Sequence, residues 1–502
     1  MTSPNPGPTG PVETAGPLSV VDFGDWMSPI IVKELRQGMR TWVFSGAFIA
    51  LQAVLVLTLT ISAAAKTDQG SSYFFWSMVA VILVLVMPLR GFNALTEELK
   101  LQTLDLLVLT RLSVWRIAFG KWIALVTQST LIAISTLPYV VLRYFSGGVN
   151  LFQELWGLYL LWLLSGVLTA LAVGFSSQRS VLLRLSIAVA SAWIWIPITF
   201  YILQTITSPD GGFYHARSFL GGSSSTFLIL AAAFTALWAY LCYFLIDMGS
   251  SVIAPAAANH ATRKRLVSLA LLATAAGAFL VLPDTKTRSI LWQTVVLGLL
   301  SLSWLDALTE NPVFVPSTYR PFAKGGRVGF IAALFLAPGW PTGLLFCAVS
   351  VGLYLLIGHQ FFGGSTNDFL WVLNVPAGLL FGLAVTLTLF PRQNRLLAPF
   401  LTVQFAFALY GVLILMLAGL SEQQDAAWLG LLSPASACLA AMAVPDPKKF
   451  SILLASASLG AIAFVYLLVR GSGAFKKIWN ALREAAATES VARTPESMAA
   501  AS

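Results

Sequence analysis

Stretches of roughly 20 mostly apolar residues, the length a helix needs to cross the hydrocarbon core of a bilayer, recur along this chain from Trp42 almost to Arg470. That feature limits the available folds severely. Backbone polar groups in lipid find no water, so only helices or closed barrels can cross. The runs are continuous Leu, Ala, Val and Phe without the period-two alternation of a barrel strand. The expected fold class is therefore all-α, a polytopic transmembrane helical bundle. Composition agrees, with 57% hydrophobic and 10% charged residues against about 25% charged in a soluble domain.

The net charge of +9 does not point to nucleic acid, because the basic residues are spread over many short loops instead of one polar face. They read as topology signals. Cys242, Cys347 and Cys438 fall in apolar stretches and form neither a disulfide framework nor a paired metal motif. No metal site or cofactor is expected. Residues 1–25 are rich in Pro, Gly, Ser and Thr, lack the charged start and apolar core of a signal peptide, and read as a disordered tail.

Apolar windows predict about twelve spans: 42–65, 73–89, 117–142, 155–175, 185–206, 226–247, 266–282, 289–308, 328–357, 369–390, 397–420 and 450–469. A further stretch, 428–446, is interrupted at Pro434 and closes with Pro445 and Pro447, which fits either a span or a half-membrane hairpin. Charge separates the two. If the stretch turns back, the side of the termini holds 23 Lys and Arg residues and the other side 7. The positive-inside rule then makes both termini cytoplasmic, in the plasma (inner) membrane. A crossing would put Arg470, Lys476, Lys477, Arg483 and Arg493 outside, so the hairpin is favoured.

Two halves are expected, 26–265 and 266–475, followed by a cytoplasmic tail, 476–502. Each second span runs into a loop opening Ala-Leu-Thr-Glu, at Ala94–Glu97 and again at Ala307–Glu310. Each loop is followed by a proline-bearing span, with Pro138 in one and Pro338 and Pro341 in the other. This placement suggests an internal parallel repeat.

Ahead of the first span, Trp26 to Arg40 reads as an amphipathic helix lying on the membrane. Met27, Ile31, Leu35 and Met39 share one face, while Lys33, Arg36 and Arg40 lie opposite, where lipid headgroups can meet them. A plain basic anchor that fixes orientation would show the same pattern. The loop after the second span is patterned too. Taken as a helix, it sets Glu98, Gln102 and Asp105 on one face and Leu104, Leu107 and Val108 on another. Such a helix can press into a partner's groove or simply rest on lipid.

This loop resembles that of the ABC type-2 transporter permeases, which carries an acidic residue, a Gly-Thr-Leu-Glu-Leu-Leu run, a Thr-Pro-Leu-Ser turn and a later Gly-Lys. Here stand Glu98, Gln102-Thr103-Leu104-Asp105-Leu106-Leu107, Thr110-Arg111-Leu112-Ser113 and Gly120-Lys121. The chain departs at Gln102 for Gly and at Arg111 for Pro. Ser28-Pro29 through Lys33-Glu34-Leu35-Arg36 also resembles the opening of some members. The resemblance covers about Trp26 to Pro138, and Glu310 to Arg327 lacks the pattern. It implies a six-span permease with an amphipathic entry helix and a re-entrant feature, coupled to a separate ABC ATPase. It further implies that Glu98, Thr103, Leu104, Asp105, Leu107, Thr110 and Ser113 form the coupling loop, with export as the usual direction.

The chain has no Gly-x-x-x-x-Gly-Lys-Ser/Thr loop, so ATP hydrolysis by that route must come from a partner and the chain itself is not expected to be an enzyme. No His-Glu-x-x-His occurs, and His215, His260 and His359 are expected in loops or at span ends in surface roles. The rival reading is a secondary transporter or flippase-like carrier working without an ATPase. It predicts ionisable residues near span centres, whereas Asp247, Asp306, Arg143 and Glu154 fall near predicted span ends. Nearly uncharged span interiors favour a hydrophobic or amphiphilic cargo.

Overall fold

A computed structural model describes the chain except residues 1–28, 66–68, 97–113, 147–148, 179–180, 209–223, 255–258, 281–287, 290, 363–365, 393–394, 421–423, 443–445 and 493–502. Every regular element among the described residues is helical. In order these are α1 (Pro29–Met39), α2 (Trp42–Ala65), α3 (Gln69–Ala80), α4 (Val114–Ser146), α5 (Leu151–Phe175), α6 (Val181–Thr207), α7 (Ser224–Ile253) and α8 (His260–Leu280). Then come α9 (Leu297–Thr309), α10 (Pro316–Lys324), α11 (Gly326–Leu336), α12 (Trp340–Ile357), α13 (Thr366–Leu389), α14 (Leu397–Leu420), α15 (Pro434–Ala441) and α16 (Asp446–Ala492). A π-helical stretch, Val81–Val86, continues α3, and another, Trp292–Val296, leads into α9.

Nine of the helices among the described residues are long and apolar enough to cross a membrane, as a multi-pass membrane protein requires. Their outward faces carry Ile49, Phe145, Phe152, Ile462 and Val469, each more than 60% exposed, while Glu154, Asp247, Lys264 and Arg265 are buried. Apolar surface on this scale needs a non-aqueous covering.

The order of helix packing repeats. In the first set α2 packs on α3 and α4, α5 packs on the end of α3 and on α4, α6 and α7, α4 packs on α7, and α3 on α6. In the second set α8 packs on α9 and α12, α13 packs on α9, α12, α14 and α16, α12 packs on α16, and α9 on α14. Replacing each helix of the first list by the one at the same place in the second reproduces the contacts. The two sets meet where α7 packs on α8. Close approach within the first set is set by glycine: a Cβ on Gly249 would lie 2.3 Å from the Gly174 carbonyl oxygen, so small residues let α5 and α7 touch backbone to backbone.

Two expectations about spans need correction. The predicted span 328–357 is two helices, α11 and α12, because Pro338 cannot continue a helix and Gly339 takes φ 121° and ψ 152°, a conformation open essentially to glycine alone. The last predicted span, 450–469, is part of a 47-residue helix, α16. About 70 Å long at 1.5 Å per residue, it far exceeds the roughly 30 Å hydrocarbon core. Beyond Arg470 it turns amphipathic: Ile478, Ala481, Leu482 and Ala485 bury against Tyr319, Phe322 and Leu336 of α10 and α11. Residues 476–492, expected as a tail, thus belong to a packed helix.

The described part of the stretch around 428–446, up to residue 442, folds as a hairpin. A 3₁₀ segment, Gln424–Leu432, meets α15 at Ser433, whose extended backbone and capping box with Ser436 start the helix. Ser436 Oγ donates to the Gly430 carbonyl at 2.7 Å, so the two arms fold on each other. Eight residues of α15 span about 12 Å, too short to cross. The hairpin sits against α13, α14 and α16.

Candidate functional site

A cluster of buried ion pairs lies where α7 and α9 end and α8 begins, near the α11–α12 break. Ordinary helix periodicity assembles it. Asp247 stands in the last turns of α7, His260, Arg263, Lys264 and Arg265 in the first turns of α8, and Asp306 near the end of α9 with Glu310 just beyond. Lys264 Nζ lies 2.6 Å from Asp306 Oδ2 and 3.9 Å from Glu310 Oε1. Asp247 Oδ1 accepts from Arg263 at 2.5 Å and lies 3.1 Å from His260 Nδ1.

Arg265 acts as a clamp. Its Nη2 lies 3.0 Å from Glu310 Oε2, and its guanidinium donates to the carbonyls of Phe335 at 3.0 Å, Ala337 at 2.6 Å and Gly339 at 3.1 Å. The Phe335 and Ala337 carbonyls are left without intrahelical partners where α11 stops, while the Gly339 carbonyl also accepts from the Gly343 amide at 2.9 Å as α12 begins. Glu310 closes the ring by accepting from the Gly339 amide at 3.1 Å. Lys264 and Arg265 are both 2% exposed, and such burial is tolerable because carboxylates and carbonyls surround them. Burial works to lower the Lys264 pKa, and Asp306 and Glu310 more than reverse it, holding it above the usual lysine value.

A cavity of about 350 Å³ opens beside the cluster, lined by Gln178, His260, Lys264, Asp306, Glu310 and Arg395 among others. Its walls come from the connections after α5, α7, α9 and α13, which the alternating-span reading places on one side. At the opposite end of the first set, Arg143 Nε donates to Glu154 Oε1 at 3.0 Å and its Nη2 to Ser72 Oγ at 2.5 Å, with Phe75 below the guanidinium. Asp247, Asp306, Arg143 and Glu154 thus stand near helix ends, each opposite a countercharge.

The expected coupling-loop residues Glu98, Thr103, Leu104, Asp105, Leu107, Thr110 and Ser113 lie outside the described residues. What flanks them is firmly held. Thr96 Oγ1 donates to the Ser176 carbonyl at 2.6 Å and accepts from Arg184 at 2.9 Å. On the far side, Lys121 of α4 pairs with Glu34 of α1 at 3.0 Å. Arg90 reaches the Gly38 carbonyl and Thr41 Oγ1. The entry helix therefore packs on α4 through its Glu34 and Gly38 side, and Lys33, Arg36 and Arg40 are exposed.

Sequence reasoning missed the clamp because Arg263, Lys264 and Arg265 count there only among the basic residues of short loops that mark topology. Two of the three are buried structural cations, and His260, expected at the surface, bonds Asp247. The available signal was the second Ala-Leu-Thr-Glu copy, whose Glu310 anchors the cluster. His359 is exposed at a helix end, as expected, and His215 lies outside the described residues.

The fold and site define an all-helical protein of multi-pass membrane character with a buried ionic junction at one end. No family model matches the chain, and neither curated proteins nor solved structures give a match.

Proposed function

We propose that this chain is the membrane-spanning permease of a transporter, built as two six-span halves with both termini cytoplasmic in the plasma (inner) membrane. A separate ABC ATPase docks on the Glu98–Ser113 loop and drives it. The observation carrying the permease reading is the matching order of helix contacts in the two sets, because transport pathways are commonly built between repeated units that rock against each other. The ATPase rests on the loop's pattern and on its rigid mounting between Thr96 and the α1–α4 pair. Export of a hydrophobic or amphiphilic cargo fits the apolar interior.

Replacing Leu104 and Leu107 together by Ala tests this. Each leucine contributes about 1.5–3 kcal/mol if fully buried in the partner, whereas exposed pairs of Glu98 or Asp105 contribute about 0–1 kcal/mol. The double variant loses the co-purifying ATPase while keeping its fold, and Asp105→Asn weakens it slightly. A wild-type chain that brings down no ATPase sinks the reading.

One observation favours a second reading, a secondary carrier without an ATPase: Lys264 sits between Asp306 and Glu310 at the wall of an open cavity. Uptake into vesicles holding the chain alone, driven by an ion gradient, would establish it.

A further inference from the structure

The seam between the two sets is not closed along its length. A cavity of about 400 Å³ runs between α7 and α8, within the usual range of roughly 300–1,000 Å³ for ligand sites. Leu237 and Tyr240 form one wall, and Val267, Ala270, Thr274 and Phe279 the other. Leu237, Tyr240 and Phe279 form its buried floor, while Ala270 and Thr274 are exposed at its mouth. From Val267 to Phe279 it extends about 18 Å at 1.5 Å per residue, close to one leaflet of the hydrocarbon core, about 15 Å.

Polarity changes abruptly at one end. One turn before Val267, on the same face of α8, stands Arg263. Its side chain is 46% exposed although Asp247 and His260 take part of its donor capacity, so further N–H groups reach the surface. Trp115 and Tyr243 lie against the guanidinium at 5.8 Å and 5.6 Å from their ring centres, one turn beyond the Val267 end of the groove. Guanidinium donors recognise phosphate well, and an apolar groove one leaflet deep recognises an acyl chain.

We propose that the α7–α8 groove is a phospholipid site, with the acyl chain lying between Leu237 and Thr274 and an anionic headgroup on Arg263. The inference rests on the membrane reading and not on the ATPase. The lipid wedges the seam between the two sets and thereby links their relative movement to the surrounding bilayer.

The test is photolabelling of the full-length chain in phosphatidylcholine vesicles containing phosphatidylglycerol with a diazirine on its acyl chain, mapped by mass spectrometry. Labels are expected to concentrate on 233–240 and 267–278. Ala270→Phe with Thr274→Phe fills the mouth without touching the ion pairs, and labelling there falls roughly tenfold. Arg263→Gln keeps the groove labelled but removes the preference for phosphatidylglycerol over a phosphatidylcholine probe. Labels spread evenly over α2, α6 and α14 would overturn the site while leaving the membrane reading intact. No label on any helix would overturn both.

Discussion

Asp306 holds the Lys264 ammonium at 2.6 Å, and Lys264 has almost no exposure, so Asp306→Asn leaves a buried cation with Glu310 3.9 Å away as its remaining carboxylate partner in the cluster. Breaking a buried pair from one side costs about 3–5 kcal/mol, and this variant is expected at the lower end because Glu310 remains. Thermal unfolding in detergent reads the loss, with Lys33→Ala as the exposed control expected to change stability by less than about 0.5 kcal/mol. The sign of the pH effect follows from the raised Lys264 pKa. Its contribution is complete below the ordinary lysine value of 10.5 and is lost only as pH rises through the higher folded value. The wild type is therefore expected to keep this contribution from neutral pH to pH 9 in the same unfolding measurement, and its loss within that window would contradict the pairing. At this scale the sequence was least legible. Arg265 reads as one of three neighbouring cations, and nothing around it in the chain tells that the carbonyls of a helix break some 70 residues later lie within its reach.

Helices themselves were largely legible, because apolar length is a strong local signal. The starts of α2, α13 and α14 fall within three residues of the predicted spans. What hydropathy does not register is backbone geometry: the apolar run 328–357 looks continuous, yet Pro338 and Gly339 break it. Gly339→Ala is expected to destabilise by about 1–3 kcal/mol, since a side chain there must adopt a conformation reserved for glycine and its Cβ would lie 2.7 Å from Pro312 Cα. A lowered melting temperature with unchanged helical circular dichroism would register it. The amphipathic end of α16 offers a separate measurement. Leu482, 1% exposed against α10, becomes in Leu482→Glu a carboxylate facing Tyr319 and Phe322. Trypsin is expected to cut at Lys476, Lys477 and Arg483 much faster than in the wild type, and unchanged cleavage would mean that the contact contributes little in solution.

Across the whole molecule, the proposed repeat was legible in the sequence only as two four-residue copies, because apolar spans tolerate many residues that keep the same packing. The helix contacts carry it instead. Sidedness is tested by cysteine labelling from outside. A probe at position 448, beyond the hairpin, is expected to react, and one at position 477 to be protected. The reverse pattern would overturn the placement of the termini. One further consequence concerns α16, which continues from its apolar part to the contact with α10 without a proline after its first turn. It is a rod with its fulcrum among the bundle helices and an arm of about 33 Å from Arg470 to Ala492 at 1.5 Å per residue. A tilt of about 10° at the fulcrum swings the tip of an arm that long by about 6 Å. α10, gripped by that arm, is carried along, so small angular changes inside the bundle emerge at its edge as displacements the size of a side chain.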